Sequence, residues 1–113
     1  MANFFLDNKD LQFHLQHPLM RKIVALKEPN YTLKDHHELA PQSFEDAMDN
    51  YRRVLEIAGE VCGEVIPPNA EGVDHEGPRV ENDHVVYAEG TARNIDAITK
   101  AGLNGMTCLI YTS

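Results

Sequence analysis

An amphipathic pattern near the middle of the chain, from Ser43 to Ile66, constrains the fold more than any other feature. Apart from adjacent pairs, its apolar residues recur at spacings of three and four, as on one face of a helix about six turns or ~35 Å long. Ser43 and Asp46 fit the capping arrangement of a helix start, and Pro67-Pro68 closes the segment. The pattern predicts one long helix with a broad apolar stripe, made of Phe44, Ala47, Met48, Tyr51, Val54, Leu55, Ala58, Val61, Cys62, Val65 and Ile66.

Two glycines lie inside this predicted helix. Gly59 and Gly63 are four residues apart and therefore share a face. Each destabilises a helix by about 1 kcal/mol relative to alanine. A pair on one face leaves room for another stretch of backbone to approach the helix closely there.

Two shorter helices are predicted before the long one. The first runs from about Asn8 to His17, with Asp7 or Asn8 as its N-cap. Pro18 ends it and suits the first turn of a second helix, which reaches Glu28. Residues 31–41 are polar and predict a connector with one irregular turn.

The second half of the chain is less regular. Residues 69–90 are loop-like, with a possible hairpin near residues 80–87 whose tip is Asn82-Asp83. Thr91 is predicted to cap a fourth helix that Gly102 ends. Residues 106–113 are apolar and β-prone. The predicted fold class is mostly α, a small bundle of about four helices with a possible short hairpin.

The charge balance argues against several kinds of partner. The 113 residues include 18 Asp and Glu but only 10 Lys and Arg, which gives a net charge of −8. Nucleic acids and anionic membrane surfaces attract cationic proteins, so neither is an expected partner. No apolar run approaches the ~20 residues of a spanning helix, and no secretory signal is evident. Cys62 and Cys108 form no CxxC pair, so we expect a cytoplasmic protein.

Histidines near the N-terminus are the first candidates for a metal site. His14 and His17 are three apart, but Pro18 follows directly, so a surface or capping role is favoured. His36-His37-Glu38 lies in the polar connector, where adjacent side chains tend to point apart. A solvated connector is the favoured interpretation there.

Acid–base pairs and cysteine nucleophiles are the other candidates. His75 between Asp74 and Glu76, and His84 beside Asp83, lie in an acidic loop without an evident pocket. Cys62 lies in the apolar stripe, which favours a buried small hydrophobe over a nucleophile. The neighbours of Cys108 supply no base. The residues alone therefore predict no catalytic, cofactor-binding or metal-binding position.

Short sequence blocks follow one another along residues 3 to 107, and each is weakly specific by itself. They are Asn8–Leu15, Phe44–Ala47, Val61–Ala70, Glu76–Pro78, Val80–Asn82, Glu89–Thr91 and Lys100–Thr107. In this order and spacing they resemble the N-terminal region of bacterial acyl-CoA dehydrogenases, in the subgroup with an extra N-terminal helical segment. By this resemblance residues 1–41 are the helical extension, residues 42–107 are the family's N-terminal-like helical region, and residues 108–113 are an atypical tail.

The resemblance implies an enzyme larger than this chain. In that family a β-barrel domain and a second helical domain follow the helical N-terminal domain. The complete, usually oligomeric flavoprotein oxidises acyl-CoA to 2-enoyl-CoA, by proton abstraction at Cα and hydride transfer from Cβ to FAD. Electrons then pass to an electron-transfer flavoprotein. The catalytic carboxylate, the main FAD contacts and most CoA contacts belong to the later domains, so no catalytic residue carries over and no cofactor is expected for this chain alone.

The tail departs from the family pattern. After Thr107 the family continues with a Leu-Pro stretch and a Tyr-Gly-Gly-like turn, whereas here Cys108-Leu-Ile-Tyr-Thr-Ser113 follows. We expect a truncated or altered reading frame, or a cut chain. The alternative function is a stand-alone helical interaction module that self-associates through its apolar stripe as a symmetric dimer. A histidine-based metal protein is a third, weaker interpretation.

Overall fold

The computed structural model describes residues 1–106, and these are mostly helical. The α-helices are α1 (Lys9–Leu15), α2 (Met20–Lys27), α3 (Phe44–Glu60), α4 (Ala70–Glu76) and α5 (Glu89–Lys100). Strands β1 (Arg79–Glu81) and β2 (His84–Val86) form one antiparallel pair. The predicted mostly α class with a short hairpin is confirmed, although the described residues hold five α-helices rather than about four. The atypical tail, 108–113, and Thr107 lie outside the described residues.

The chain divides into two compact units. The α1–α3 unit comprises Phe5–Glu56, and the α4–α5 unit comprises Met1–Phe4 together with the chain from Ile57 onward. Buried apolar side chains are few among the described residues. They are Phe5, Val24 and Ala47 in the first unit, and Val61 and Ala88 in the second.

The start of α1 matches the sequence prediction. The Asn8 side-chain oxygen accepts from the backbone N–H groups of Asp10 (3.0 Å) and Leu11 (3.2 Å), so Asn8 is the N-cap. The Gln12 amide donates to the carbonyls of Phe5 (3.3 Å) and Leu6 (2.7 Å). These bonds tie the turn that holds the buried Phe5 ring to the helix.

The second helix begins later than predicted, at Met20 rather than at Pro18. The ring nitrogen Nδ1 of His17 accepts from the backbone N–H of Leu19 at 3.1 Å, and this bond shapes the turn before the helix. The predicted connector is also more ordered than expected. Pro29–Asp35 forms 3₁₀ turns across a kink at Asn30 and Tyr31.

The third helix starts as predicted but does not remain α-helical to Ile66. Ser43 Oγ accepts from Asp46 N–H at 3.2 Å, and the Asp46 carboxylate accepts from Gln42 N–H at 3.0 Å. After Glu60 the chain forms a π-helical turn, Val61–Val65. Pro67 and Pro68 follow and have no N–H to continue α-helical pairing, which accounts for the change at this end.

The glycine pair lies against backbone, which its position on one face of the helix allows. Phe4 N–H donates to the Gly59 carbonyl at 3.0 Å. A Cβ built on Gly63 would lie 2.3 Å from the carbonyl oxygen of Ala2. The chain of residues 2–4 thus runs directly along the glycine face, and a larger residue at position 63 would displace it.

The prediction of a loop before the hairpin is wrong for residues 70–76, because the chain forms α4 (Ala70–Glu76) there. Asn69, just before it, donates to the carbonyl of Val65 at 3.0 Å and to the side-chain oxygen of Asn94 at 2.7 Å. The Asn94 partner lies 25 residues away, so local sequence does not reveal it. This part of the fold is set by tertiary contacts.

Thr91 does not cap α5, contrary to the sequence prediction. The helix starts at Glu89, whose N–H donates to the Glu76 carboxylate at 3.1 Å. Gly90 permits this start, since a Cβ there would lie 2.6 Å from Val73 Cγ2. The predicted stop is confirmed: Gly102 has φ 73°, and it donates to Thr99 while Leu103 donates to Ile98.

The hairpin has the predicted tip. Val80 pairs with Val85 and Glu81 with His84, which leaves Asn82 and Asp83 as the two turn residues. Their φ values are 51° and 63°. Both are left-handed, as a two-residue turn that follows the strand twist requires.

We predict opposite effects for alanine at two helical glycines. Gly63→Ala should lower the free energy of unfolding by about 1–3 kcal/mol, because its methyl group overlaps the Ala2 backbone. Gly72→Ala in α4 should raise it by up to ~1 kcal/mol, since nothing lies within 4 Å of the added methyl group. Urea unfolding followed by circular dichroism measures both. Changes of the same sign would contradict the close approach at Gly63.

Candidate functional site

The histidines considered in the sequence do not converge. His14 lies edge-to-face with Phe13, their ring centroids 5.8 Å apart. His17 serves the turn before α2, as described above. His75 Nε2 is 3.9 Å from a Glu71 carboxylate oxygen, and both side chains are exposed. In residues 1–106, His, Cys, Asp and Glu side chains form no group of three or more that could hold a metal ion.

The remaining candidates are also separate from one another. His36 and His37 are exposed, and both backbone N–H groups donate to the Leu33 carbonyl. His84 is exposed on β2, next to the turn that contains Asp83. Cys62 is half-buried in the π-helical turn rather than fully buried, and Cys108 lies outside the described residues.

A groove in the α1–α3 unit is one candidate for a ligand site. It has a volume of about 510 Å³ and is open to solvent. Its apolar lining comes from Leu15 of α1, Met20 of α2, and Phe44 and Met48 of α3. Three helices contribute to it, so the sequence pattern of any one helix does not predict it.

Charged residues line the same groove, and each has an ion-pair partner. The Arg21 guanidinium lies 4.3 Å from the centroid of the Phe44 ring and 3.4 Å from a Glu45 carboxylate oxygen. Arg52 Nε lies 3.1 Å from a Glu56 carboxylate oxygen, and Asp49 pairs with Arg53. The groove therefore suits an apolar side chain or aliphatic group better than a strongly anionic ligand. It presents no nucleophile paired with a base.

A half-buried Tyr–Glu pair connects the C-terminal end of α2 to α3, and both helices also line the groove. The Tyr51 hydroxyl donates to the Glu28 carboxylate, and Lys27 Nζ lies 5.9 Å from the centroid of the Tyr51 ring. Burial, reinforced by the Glu28 carboxylate, raises the pKa of Tyr51 far above its usual value of 10.0. Tyr51 is therefore neutral at physiological pH, and its role is to hold the C-terminal end of α2.

In the sequence, Tyr51 is one residue of the apolar stripe and Glu28 is the end of the second predicted helix, and no pattern pairs them. Two further polar contacts were missed in the α4–α5 unit, the amide pair of Asn69 with Asn94 and the cap that Glu76 provides for α5. Each joins residues more than ten positions apart. No local motif marks such pairs.

Comparison with known proteins gives no match to this chain among family models, curated proteins or solved structures. Within residues 1–106, every helix is too short or too polar to cross a membrane.

Alkaline pH should weaken the α1–α3 unit through Tyr51. The pKa of Tyr51 is raised in the folded state. The stabilisation that its neutral hydroxyl provides is therefore complete below 10.0, the pKa in the unfolded state, and is lost as the pH rises above that value. Tyr51→Phe should lower the free energy of unfolding by about 1 kcal/mol at neutral pH, because Glu28 loses its donor. The difference from wild type should shrink above pH 10.0. Urea unfolding across this pH range measures it.

Tyr87→Phe is the matched control. Tyr87 is 56% exposed, so removal of its hydroxyl by this substitution should leave the free energy of unfolding nearly unchanged at every pH. A Tyr51→Phe deficit that stays constant between neutral and alkaline pH would contradict the proposed role of the Tyr51 proton.

Proposed function

We propose that this chain is the N-terminal helical part of an acyl-CoA dehydrogenase-like flavoprotein. The complete protein would oxidise acyl-CoA to 2-enoyl-CoA with FAD and pass electrons to an electron-transfer flavoprotein. The observation that carries this proposal is the ordered series of sequence blocks between Asn8 and Thr107. The chain alone is inactive in this proposal, because the reacting groups belong to the later domains.

The positions of these blocks in the fold support the proposal. The first block covers α1, and the Phe44–Ala47 block begins α3. The Val61–Ala70 block spans the π-helical turn and the start of α4. The Glu89–Thr91 block starts α5. These four blocks thus include α1, the starts of α3, α4 and α5, and the close backbone approach at Gly63.

Exposed apolar side chains in both units also favour a larger assembly. Leu19, Ile23 and Leu26 of the α1–α3 unit are 56%, 51% and 81% exposed. Val80 and Val85 of the α4–α5 unit are 73% and 63% exposed. Full burial of such a side chain stabilises a protein by about 1.5–3 kcal/mol. Further domains of the proposed parent would supply the covering surface.

The groove of the α1–α3 unit does not fit FAD. The phosphates of FAD need free cationic or N–H donors, whereas Arg21 and Arg52 are both engaged by carboxylates. Glu45 and Asp49 in the same lining would repel a pyrophosphate. The proposal therefore places no FAD contact in this groove.

The alternative function is a stand-alone module that self-associates through the stripe of α3. Ile57 is 45% exposed, but it lies outside that stripe. Ala47 and Val61 of the stripe are buried within this chain, and its other residues are half-buried. The flavoprotein proposal accounts for the sequence blocks as well as for the exposed surface, so we prefer it.

Reconstitution tests the proposed function. The chain would be co-expressed with an acyl-CoA dehydrogenase of the same bacterial subgroup that lacks its own N-terminal helical domain. We expect a complex with about one flavin per complex and acyl-CoA-dependent reduction of an electron-acceptor dye. The chain by itself should show no flavin absorbance.

Two variants control this reconstitution. Val24→Asp places a carboxylate at a position that is 0% exposed and should abolish it. Lys9→Glu changes an exposed residue of α1 and should leave it intact. Stoichiometric flavin on the isolated chain, or no complex with the truncated enzyme, would argue against the proposal.

A further inference from the structure

One asparagine of this chain is followed by glycine. The chain has eight asparagines, and only Asn104 precedes a residue without a side chain, Gly105. The backbone nitrogen of a following residue can attack the side-chain carbonyl carbon of an asparagine, which closes a succinimide ring. A side chain on the following residue hinders this approach, so glycine is the most permissive neighbour. The sequence therefore singles out Asn104 for this reaction.

Both reacting residues are exposed to solvent. Asn104 and Gly105 lie in the 3₁₀ turn Asn104–Met106, shortly after Gly102 ends α5. Ring closure requires the Asn104 backbone to rotate until the Gly105 nitrogen faces the side-chain carbonyl carbon. A short 3₁₀ turn has poor hydrogen-bond geometry, and an exposed segment beyond a helix end opens at low free-energy cost. The backbone at Asn104 can therefore reach the reactive geometry without unfolding of either compact unit.

Other asparagines are less suited to ring closure. Asn50 and Asn94 lie inside α3 and α5, where helical hydrogen bonds hold the backbone. Asn69 is half-buried, and its amide donates two hydrogen bonds. The Asn8 side-chain oxygen caps α1. Each of these asparagines is also followed by a residue with a side chain.

One hydrogen bond holds the Asn104 amide against α5. Its Nδ2 donates to Thr99 Oγ1 at 2.7 Å. The Thr99 hydroxyl in turn donates to the Ile95 carbonyl at 2.8 Å, which fixes the direction of the hydroxyl. Rotation of the amide toward the Gly105 nitrogen would break the bond to Thr99. This bond therefore opposes ring closure.

We propose that Asn104 is a site of spontaneous deamidation, which its hydrogen bond to Thr99 slows. A bond forms between the Gly105 nitrogen and the Asn104 side-chain carbon, and the bond from that carbon to Nδ2 breaks. The Gly105 nitrogen gives its proton to a solvent base, and Nδ2 leaves as ammonia. Water then opens the succinimide at either carbonyl, which gives aspartate or isoaspartate. The proposal does not depend on the proposed flavoprotein function.

The product carries a new negative charge beyond the end of α5. A carboxylate has no proton to donate to Thr99, and the carbonyls at the end of a helix disfavour a nearby anion. Lys100, the basic residue in the last turn of α5, already pairs with Asp96 at 2.7 Å. Deamidation should therefore weaken the last turn of α5.

Ageing of the full chain at neutral pH and physiological temperature tests the proposal. The tryptic peptide that begins at Ala101 would be followed by mass spectrometry, with a sample digested at the start as reference. We expect it to gain the mass difference between –OH and –NH₂, to take up oxygen from labelled water, and to separate into aspartate and isoaspartate forms. An unmodified peptide, or aspartate without isoaspartate, would overturn the proposal.

Three variants test the two contacts of Asn104. Gly105→Ala should slow the reaction severalfold, because the methyl group hinders the attacking nitrogen while alanine suits the 3₁₀ turn. Gly72→Ala adds the same methyl group in α4 and should leave the rate unchanged. Thr99→Val removes the acceptor and should raise the rate by about two- to tenfold, the factor that one hydrogen bond contributes.

Circular dichroism would establish that each variant is folded. Equal rates for Gly105→Ala and the wild type would overturn attack by the Gly105 nitrogen. A rate for Thr99→Val that is no higher than that of the wild type would overturn the role of Thr99.

Discussion

The apolar stripe of α3 is the constraint on which the rest of the structure depends. Residues of this helix belong to both compact units. The stripe and its continuation supply one buried residue to each unit, which is Ala47 in the α1–α3 unit and Val61 in the α4–α5 unit. The remaining helices are too short to be stable alone, since isolated helices below ~12–15 residues are marginal in water. Their side chains therefore depend on packing within their own unit. The polar links support this packing: Tyr51 with Glu28 in the α1–α3 unit, and Asn69 with Asn94 in the α4–α5 unit.

Features encoded over a few residues were predictable from the sequence. Ser43 with Asp46, Gly102 and the Asn82-Asp83 turn each specify a local geometry by cap chemistry or backbone freedom. The glycine pair also left room for a close backbone approach, although the sequence did not identify residues 2–4 as the approaching segment. In contrast, α4 and the true start of α5 depend on Asn69, Glu76 and Gly90, whose partners are far away in the chain. The same reason explains why the pairing of Tyr51 with Glu28 was not foreseen.

The candidate site illustrates the same limit. Its groove combines side chains of α1, α2 and α3, and its arginines are neutralised by partners such as Glu45 and Glu56. A sequence shows these charges but not their pairing. The pairing decides the chemistry, because an engaged guanidinium is a poor site for a phosphate or carboxylate. The exposed apolar faces of both units are a more informative feature, since they indicate surfaces that further protein would cover.

We propose that this chain is one part of a larger flavoprotein, and the genomic DNA beyond codon 113 provides the test. We expect that the same frame, or a frame shifted by one base, continues into a β-barrel domain and a second helical domain. A downstream region that encodes no such domains in any frame would contradict it.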